Sequence, residues 1–298
     1  MLNGIINVYK EAGFTSHDVV AKMRGICGQK KIGHTGTLDP EATGVLPVCL
    51  GSGTRLCDML ADRDKEYVAE LLLGVSTDTQ DTTGQVLEEK AVLCTEEDVK
   101  EAIMGFIGEY QQIPPMYSAL KVNGQKLYEL ARAGKEVERK ARTVIIHKIE
   151  ILQMELPRVH MRVACSKGTY IRTLCADIGE KIGCGGVMAF LKRTRVGEFT
   201  AEDAITLSGL QELKDAGKLE SCIKAVDACF LAHPALHVSA EHQKLIDNGN
   251  AFYPNQTEEK KRYGHGEWVR VYNAEGRFYG IYAYESARKW YKPVKMFL

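Results

Sequence analysis

Apolar and polar positions divide the chain into short strands, a few helices and one long polar excursion. Residues 4–9, Gly-Ile-Ile-Asn-Val-Tyr, are rich in strand-forming side chains and predict an opening strand. Thr15-Ser16-His17-Asp18 supplies capping chemistry for a helix through 19–24, and Gly28 is placed to end it. A glycine-rich loop at 33–44 leads into the apolar run 45–50, which reads as a buried strand. Residues 67–73 predict another strand, and 96–106 are helical by spacing. Pro114-Pro115 breaks that helix within a basic excursion spanning about 111–142. Its length and its Gly124 and Gly134 suit a functional loop or lid better than a tight connection. Strand patterns resume at 143–152 and 158–165, followed by a helix from Tyr170 to about Lys181.

This order, without regular βαβ alternation, predicts an α+β fold with a mixed, largely antiparallel sheet flanked by helices. A break near 232–235 separates a tail with strand patterns at 268–272 and 277–283, of a size that suits a small β-barrel. The expected domains are therefore 1–232 and 233–298. With 298 residues, 45% of them hydrophobic, the chain has ample length for a buried core. It opens without a basic patch followed by an apolar run, and no apolar stretch is long enough to cross a bilayer. A cytoplasmic protein with no membrane partner is expected. Nine cysteines are scattered without any C-x-x-C pair, so reduced thiols are expected, with neither a disulfide framework nor a zinc site.

Formal net charge is zero, which argues against a protein that coats nucleic acid by bulk electrostatics. The distribution is less even. Between Lys121 and Lys148 eight bases face three acids, and Arg158, Arg162, Lys167 and Arg172 follow with no acid among them. Lys192, Arg193 and Arg195 form a third cluster. Two readings stay open: a positive track along an RNA backbone, or a set of solvated faces.

The loop around Asp39 has glycines at 33, 36 and 44, so its backbone can turn sharply and approach a ligand closely. Pro40 biases Asp39 toward an extended conformation that presents its carboxylate. Taken alone, Leu38-Asp39-Pro40 suits a structural turn as well as a catalytic carboxylate. No G-x-x-x-x-G-K-[ST] or G-x-G-x-x-G can be read from the loop, which excludes the common nucleotide-binding types.

Gly33-His-Thr-Gly-Thr-Leu-Asp-Pro-Glu-Ala-Thr-Gly44-Val-Leu-Pro closely resembles the signature of the TruB-type pseudouridine synthases. Lys65-Glu-Tyr67 resembles that family's tyrosine motif, Ser166-Lys-Gly-Thr-Tyr170-Ile-Arg172-Thr-Leu its third motif, and Leu191-Lys-Arg193-Thr-Arg195-Val-Gly the segment after it. The β-rich tail resembles a PUA RNA-binding module. One departure is Lys10-Glu11, where the family commonly has Lys-Pro.

The resemblance implies the pseudouridine synthase fold and isomerisation of uridine to pseudouridine in the T loop of tRNA, at position 55. It implies a partner, the tRNA T stem-loop, no guide RNA, and neither metal nor organic cofactor; a monomer is expected because no extended apolar heptad or patch calls for a protein partner. Asp39 becomes the catalytic carboxylate, and His34, Tyr67, Tyr170, Arg172, Leu191 and Lys10 the residues that bind substrate. Physical roles fit these assignments. The target base must leave its stack, at a cost of roughly a few kcal/mol. His34 can fill the gap, Tyr67 and Tyr170 can stack on the extruded uracil, and Leu191 can wall the pocket. Burial opposes an ionised carboxylate, and an Arg172 guanidinium paired with Asp39 would restore it. Tyr67 is also a candidate to remove the C5 proton. Attack at ribose C1′, attack at uracil C6 and a glycal-like route all remain open. The competing functional readings are a guide-RNA-dependent relative and a non-catalytic RNA-binding or RNA-folding protein.

Overall fold

The computed structural model describes residues 1–122 and 124–298. Its main sheet runs in the order Gly4–Lys10, Thr43–Leu50, Gly186–Val196, Lys65–Leu73, Arg158–Cys165, Arg142–Glu155 and Gly108–Gln112. Ile32–His34 and Phe199–Thr200 pair beside this path. Every pairing in the sheet is antiparallel except that of Thr43–Leu50 with Gly186–Val196, which is parallel and short: Lys192 faces Thr43 and Arg193 faces Gly44. That parallel seam is where the Asp39 loop rejoins the sheet. The α+β fold with a mixed, largely antiparallel sheet therefore stands.

Sequence explains the main elements locally. Lys65–Leu73 alternates strictly, with Lys65, Tyr67, Ala69, Leu71 and Leu73 turned to the buried side. Helix Ser16–Cys27 starts at a capping box, in which the Thr15 side chain accepts from the Asp18 backbone and the Asp18 carboxylate accepts from Thr15 N–H at 2.8 Å. It stops at Gly28, which adopts the left-handed conformation expected of a glycine there. Replacing Thr15 with alanine should cost about 1 kcal/mol, read as a lower urea midpoint at unchanged slope.

Some elements differ from expectation. Between the Glu96–Met104 helix and the prolines lies the strand Gly108–Gln112, so Pro114-Pro115 end a strand and the helix stops at Gly105. This edge strand is mostly polar and half-exposed, which hid its periodicity. Gln111 and Gln112 pair with Thr143 and Arg142, so the excursion itself is shorter than read and runs from 113 to 141. It contains a small hairpin, Lys121–Val122 with Gln125–Lys126, and the helix Leu127–Arg132. The strand Gly186–Val196 and the helix Leu207–Asp215 were not anticipated. All nine cysteines are free. Among the described residues no helix is long and apolar enough to cross a membrane.

The tail forms a second sheet in the order Ala235–Val238, Trp268–Asn273, Phe278–Glu285, Trp290–Met296. The segment 252–257 bridges both its edges, Phe252 pairing with Tyr291 and Thr257 with Val238, so the strands wrap around their own core of Phe252, Tyr282 and Tyr291. A further core is shared between the tail and the main sheet. Ile281 and Phe297 pack with Ile5, Val45, Leu56, Val196 and Phe230. A chain truncated before Pro234 should consequently lose solubility or cooperative unfolding, because that cluster would face water. Circular dichroism and thermal melting of the truncated protein check this.

Candidate active site

The Asp39 loop is built on hydrogen bonds that its sequence makes possible. Leu38 N–H donates to the buried Ser16 hydroxyl at 2.9 Å, Thr35 N–H to Pro47 O at 3.2 Å, and Gly13 N–H to Pro40 O at 3.0 Å. Lys10 is fully buried, and its Nζ donates to Pro40 O at 2.8 Å and to Glu11 O at 3.0 Å. Burial lowers the Lys10 pKa to about 8, opposed by the nearby Glu41 and Asp39 carboxylates. Lys10 is thus a strut beneath Pro40. Gly44 leaves the loop at a φ of 105°, and a Cβ there would collide with the Arg193 backbone.

Arg172 enters from the first turn of helix Ile171–Ile182 and is only 5% exposed. Its Nε lies 2.9 Å from Asp39 Oδ2, and its Nη2 donates to Oδ1 at 3.2 Å. This is a two-point carboxylate clamp. Nη1 donates to Thr79 O at 3.1 Å and Nη2 also to Tyr117 O at 2.8 Å, with Asp81 a further 3.9 Å neighbour. The Asp39 side chain stays 37% exposed, so the clamp leaves it open to an incoming group.

The other candidates gather around this pair. Tyr67 is buried against Leu38 and Leu191 in one apolar cluster; burial pushes its phenol up to about 12, with the Arg193 guanidinium opposing the rise. A phenol so placed is neutral and suited to stacking or hydrogen bonding. Tyr170 caps the Arg172 helix and feels Asp39 electrostatically, as Tyr67 does; burial raises its pKa as well. His34 sits at the loop entrance with its ring edge-on to His17, centroids 6.4 Å apart, and burial lowers its pKa, favouring the neutral ring. Leu191 is 7% exposed and forms part of the wall expected of it.

Residues 24–171 match the family described as TruB family pseudouridylate synthase (N terminal domain), and 172–230 match tRNA pseudouridylate synthase B C-terminal domain. The tRNA pseudouridine synthase B of Lachnoclostridium phytofermentans is 54% identical over the full length of both chains. The chain belongs to the TruB family. Another relative, the tRNA pseudouridine synthase B of Alkaliphilus oremlandii, is 47% identical over 94% of this chain and 92% of its own. Among solved structures, an H/ACA RNP bound to a substrate RNA containing 2′-deoxyuridine superposes with a TM-score of 0.72 at 26% identity, covering 99% of this chain and 85% of that one. A Cbf5-Nop10-Gar1 complex gives 0.72 at 28% identity with the same coverage.

Several residues of this TruB-family site escaped the sequence reading. Gln112 is 1% exposed and grips the Tyr170 backbone at both ends, accepting from its N–H at 2.8 Å and donating to its carbonyl at 3.0 Å. Only the unrecognised edge strand could have placed it there. The turn 79–81 supplies Thr79 O to Arg172, and its Gln80 accepts from Thr173 at 2.7 Å. Arg193, grouped by sequence with surface bases, is 2% exposed.

Other bases of the chain are paired with acids at the surface. Arg158 pairs with Glu70, Arg162 with Glu150 at 3.0 Å, and Lys167 with Asp62 at 2.9 Å. Acids from adjoining strands and from the turn at Asp62 pair with a run that looks purely basic in one dimension. In the excursion, Arg139 donates to Pro114 O at 3.1 Å, whereas Lys121 and Arg132 are exposed.

Proposed function

We propose that the protein isomerises uridine to pseudouridine in tRNA, in the T loop at position 55, with Asp39 as the catalytic carboxylate and without a guide RNA. The observation that carries this reading is the two-point Arg172–Asp39 pair, which holds the carboxylate, partly open to solvent, at the edge of an aromatic and apolar wall. The relatives named tRNA pseudouridine synthase B, alike over the whole chain, supply the substrate class.

In this reading the extruded uracil lies against Tyr67 and Leu191, with Tyr170 beside it and His34 filling the vacated stack. Asp39 promotes cleavage of the bond between C1′ and N1, the base turns, and C5 joins C1′. C5 then loses its proton and N1 gains one; Tyr67, the acceptor candidate, can take the C5 proton only after its phenol has given up its own, which its burial opposes. The isomerisation involves no net redox change and no hydrolysis, so no cofactor is called for. Lys10 and Arg172 orient the Asp39 loop from below and from the side. Residues 1–232 act as the catalytic unit and 233–298 as a PUA-like RNA-binding unit. One copy of the chain carries every candidate residue, which suits a cytoplasmic monomer.

The purified protein, given unmodified tRNA transcript and no other RNA, should convert the T-loop uridine. Absence of product under those conditions, with activity restored by a guide RNA, would favour the guide-dependent reading instead. The bases of the excursion test the docking part. Neutralising Lys121, Lys126 and Arg132 together should weaken tRNA binding and flatten the slope of log affinity against log salt by up to about 2 to 3 units, at roughly 0.9 or less per phosphate contact. The rate at saturating tRNA should change little. A slope equal to wild type would place the phosphate contacts on other residues.

A further inference from the structure

Among the described residues Arg193 is the largest fully buried side chain, and none of their ion pairs involves it. A guanidinium taken out of water without a counter-ion is costly unless its donors are met. What meets them is specific. Nε donates to Val45 O at 2.7 Å and Nη2 to Gly36 O at 3.2 Å. Tyr67 is the cross-strand neighbour of Arg193, and the guanidinium opposes the rise that burial imposes on the phenol. Along the backbone Arg193 pairs with Gly44 on one side and Tyr67 on the other, so it sits in the parallel seam itself.

Gly36 and Val45 are the two feet of the loop whose crown is Asp39. One side chain therefore spans the loop at its base and reaches the tyrosine on the neighbouring strand. We propose that Arg193 is a positioning residue for the isomerisation, fixing the spacing between the Asp39 carboxylate and the Tyr67 ring by tying both to one buried fork. This rests on the reading of Asp39 and Tyr67 given above. Lysine in its place would retain the charge but has a single nitrogen, which cannot reproduce the fixed planar spacing of Nε and Nη2 that reaches Val45 O and Gly36 O. A residue that served stability alone would lower the melting temperature and leave the two side chains independent of each other in catalysis.

The test is a double-mutant cycle on the full chain with Arg193→Lys and Tyr67→Phe. Single-turnover rates at saturating tRNA transcript are measured beside tRNA affinity and thermal unfolding. Arg193→Lys should slow the single-turnover step about 30- to 100-fold with affinity within about threefold, because positioning is lost and phosphate contacts are not. In the Tyr67→Phe background the same change should cost less than about fivefold, since the shared tie is already broken. Rate losses that simply multiply, or a folded Arg193→Lys protein within about twofold of wild type, overturn the proposal. If Arg193→Lys does not fold, hydrogen exchange of residues 36–45 in Tyr67→Phe decides: faster exchange than wild type supports the tie, and unchanged exchange refutes it. Failure of the underlying reading is distinguishable, because it appears as activity retained by Asp39→Asn whatever Arg193 does.

Discussion

Asp39→Asn is expected to stop pseudouridine formation, lowering the single-turnover rate at least about 10⁴-fold while tRNA affinity stays within a few-fold. The amide matches the carboxylate in shape but is a poor nucleophile and carries no charge. Arg172 would keep its bonds to the Thr79 and Tyr117 carbonyls, so the buried cation is not stranded and the fold should survive. Unfolding should shift by about 1 kcal/mol, roughly the worth of one hydrogen bond to a charged partner made weaker. The measurement is product per enzyme in a preparation free of host synthases. Sustained multiple turnover by the variant would remove Asp39 from the mechanism.

Arg172→Lys is expected to lower the same rate about 10²- to 10³-fold, since it exchanges a planar fork for a point charge. The guanidinium serves both Asp39 oxygens and two backbone carbonyls at once, and an ammonium cannot reproduce that set. The Tyr117 carbonyl belongs to the excursion, so tRNA affinity should weaken as well, by about 3- to 10-fold. An Arg172 that merely bound a phosphate would show the opposite balance: weaker binding, a flatter salt slope and an unchanged rate at saturation. Its near-complete burial already argues against a surface role.

The elements readable in the sequence are those whose signals are local. Thr15 and Asp18 cap a helix, Gly28 ends it, and the alternation from Lys65 to Leu73 sets a strand face without help from elsewhere. The Asp39 loop was legible for a similar reason, because its glycines and Pro40 dictate backbone geometry within a dozen residues. Gly108–Gln112 and Gly186–Val196 were not, since one is a polar edge strand and the other is interrupted by two register shifts. The pairing of Arg172 with Asp39 spans 133 positions and was anticipated only through the family resemblance. Charge was the least legible property. Arg193 and Arg162 look alike on the page, yet one is sealed under the Asp39 loop and the other lies on a sheet face among acids.

Phe297 lies in the same apolar cluster as Ile5 and Val45, and it packs on Phe278 and Phe230 with ring centroids 5.6 Å and 5.9 Å away. Val45 is one of the two feet that Arg193 holds. Seen along the time axis of protein synthesis, the apolar cluster around Val45 is complete only once residue 297 has been made and packed beside a strand laid down at residue 5. The nascent chain must meanwhile carry an unfinished apolar surface. Competence to bind and turn over RNA would then arrive late and all at once, after translation has passed residue 297.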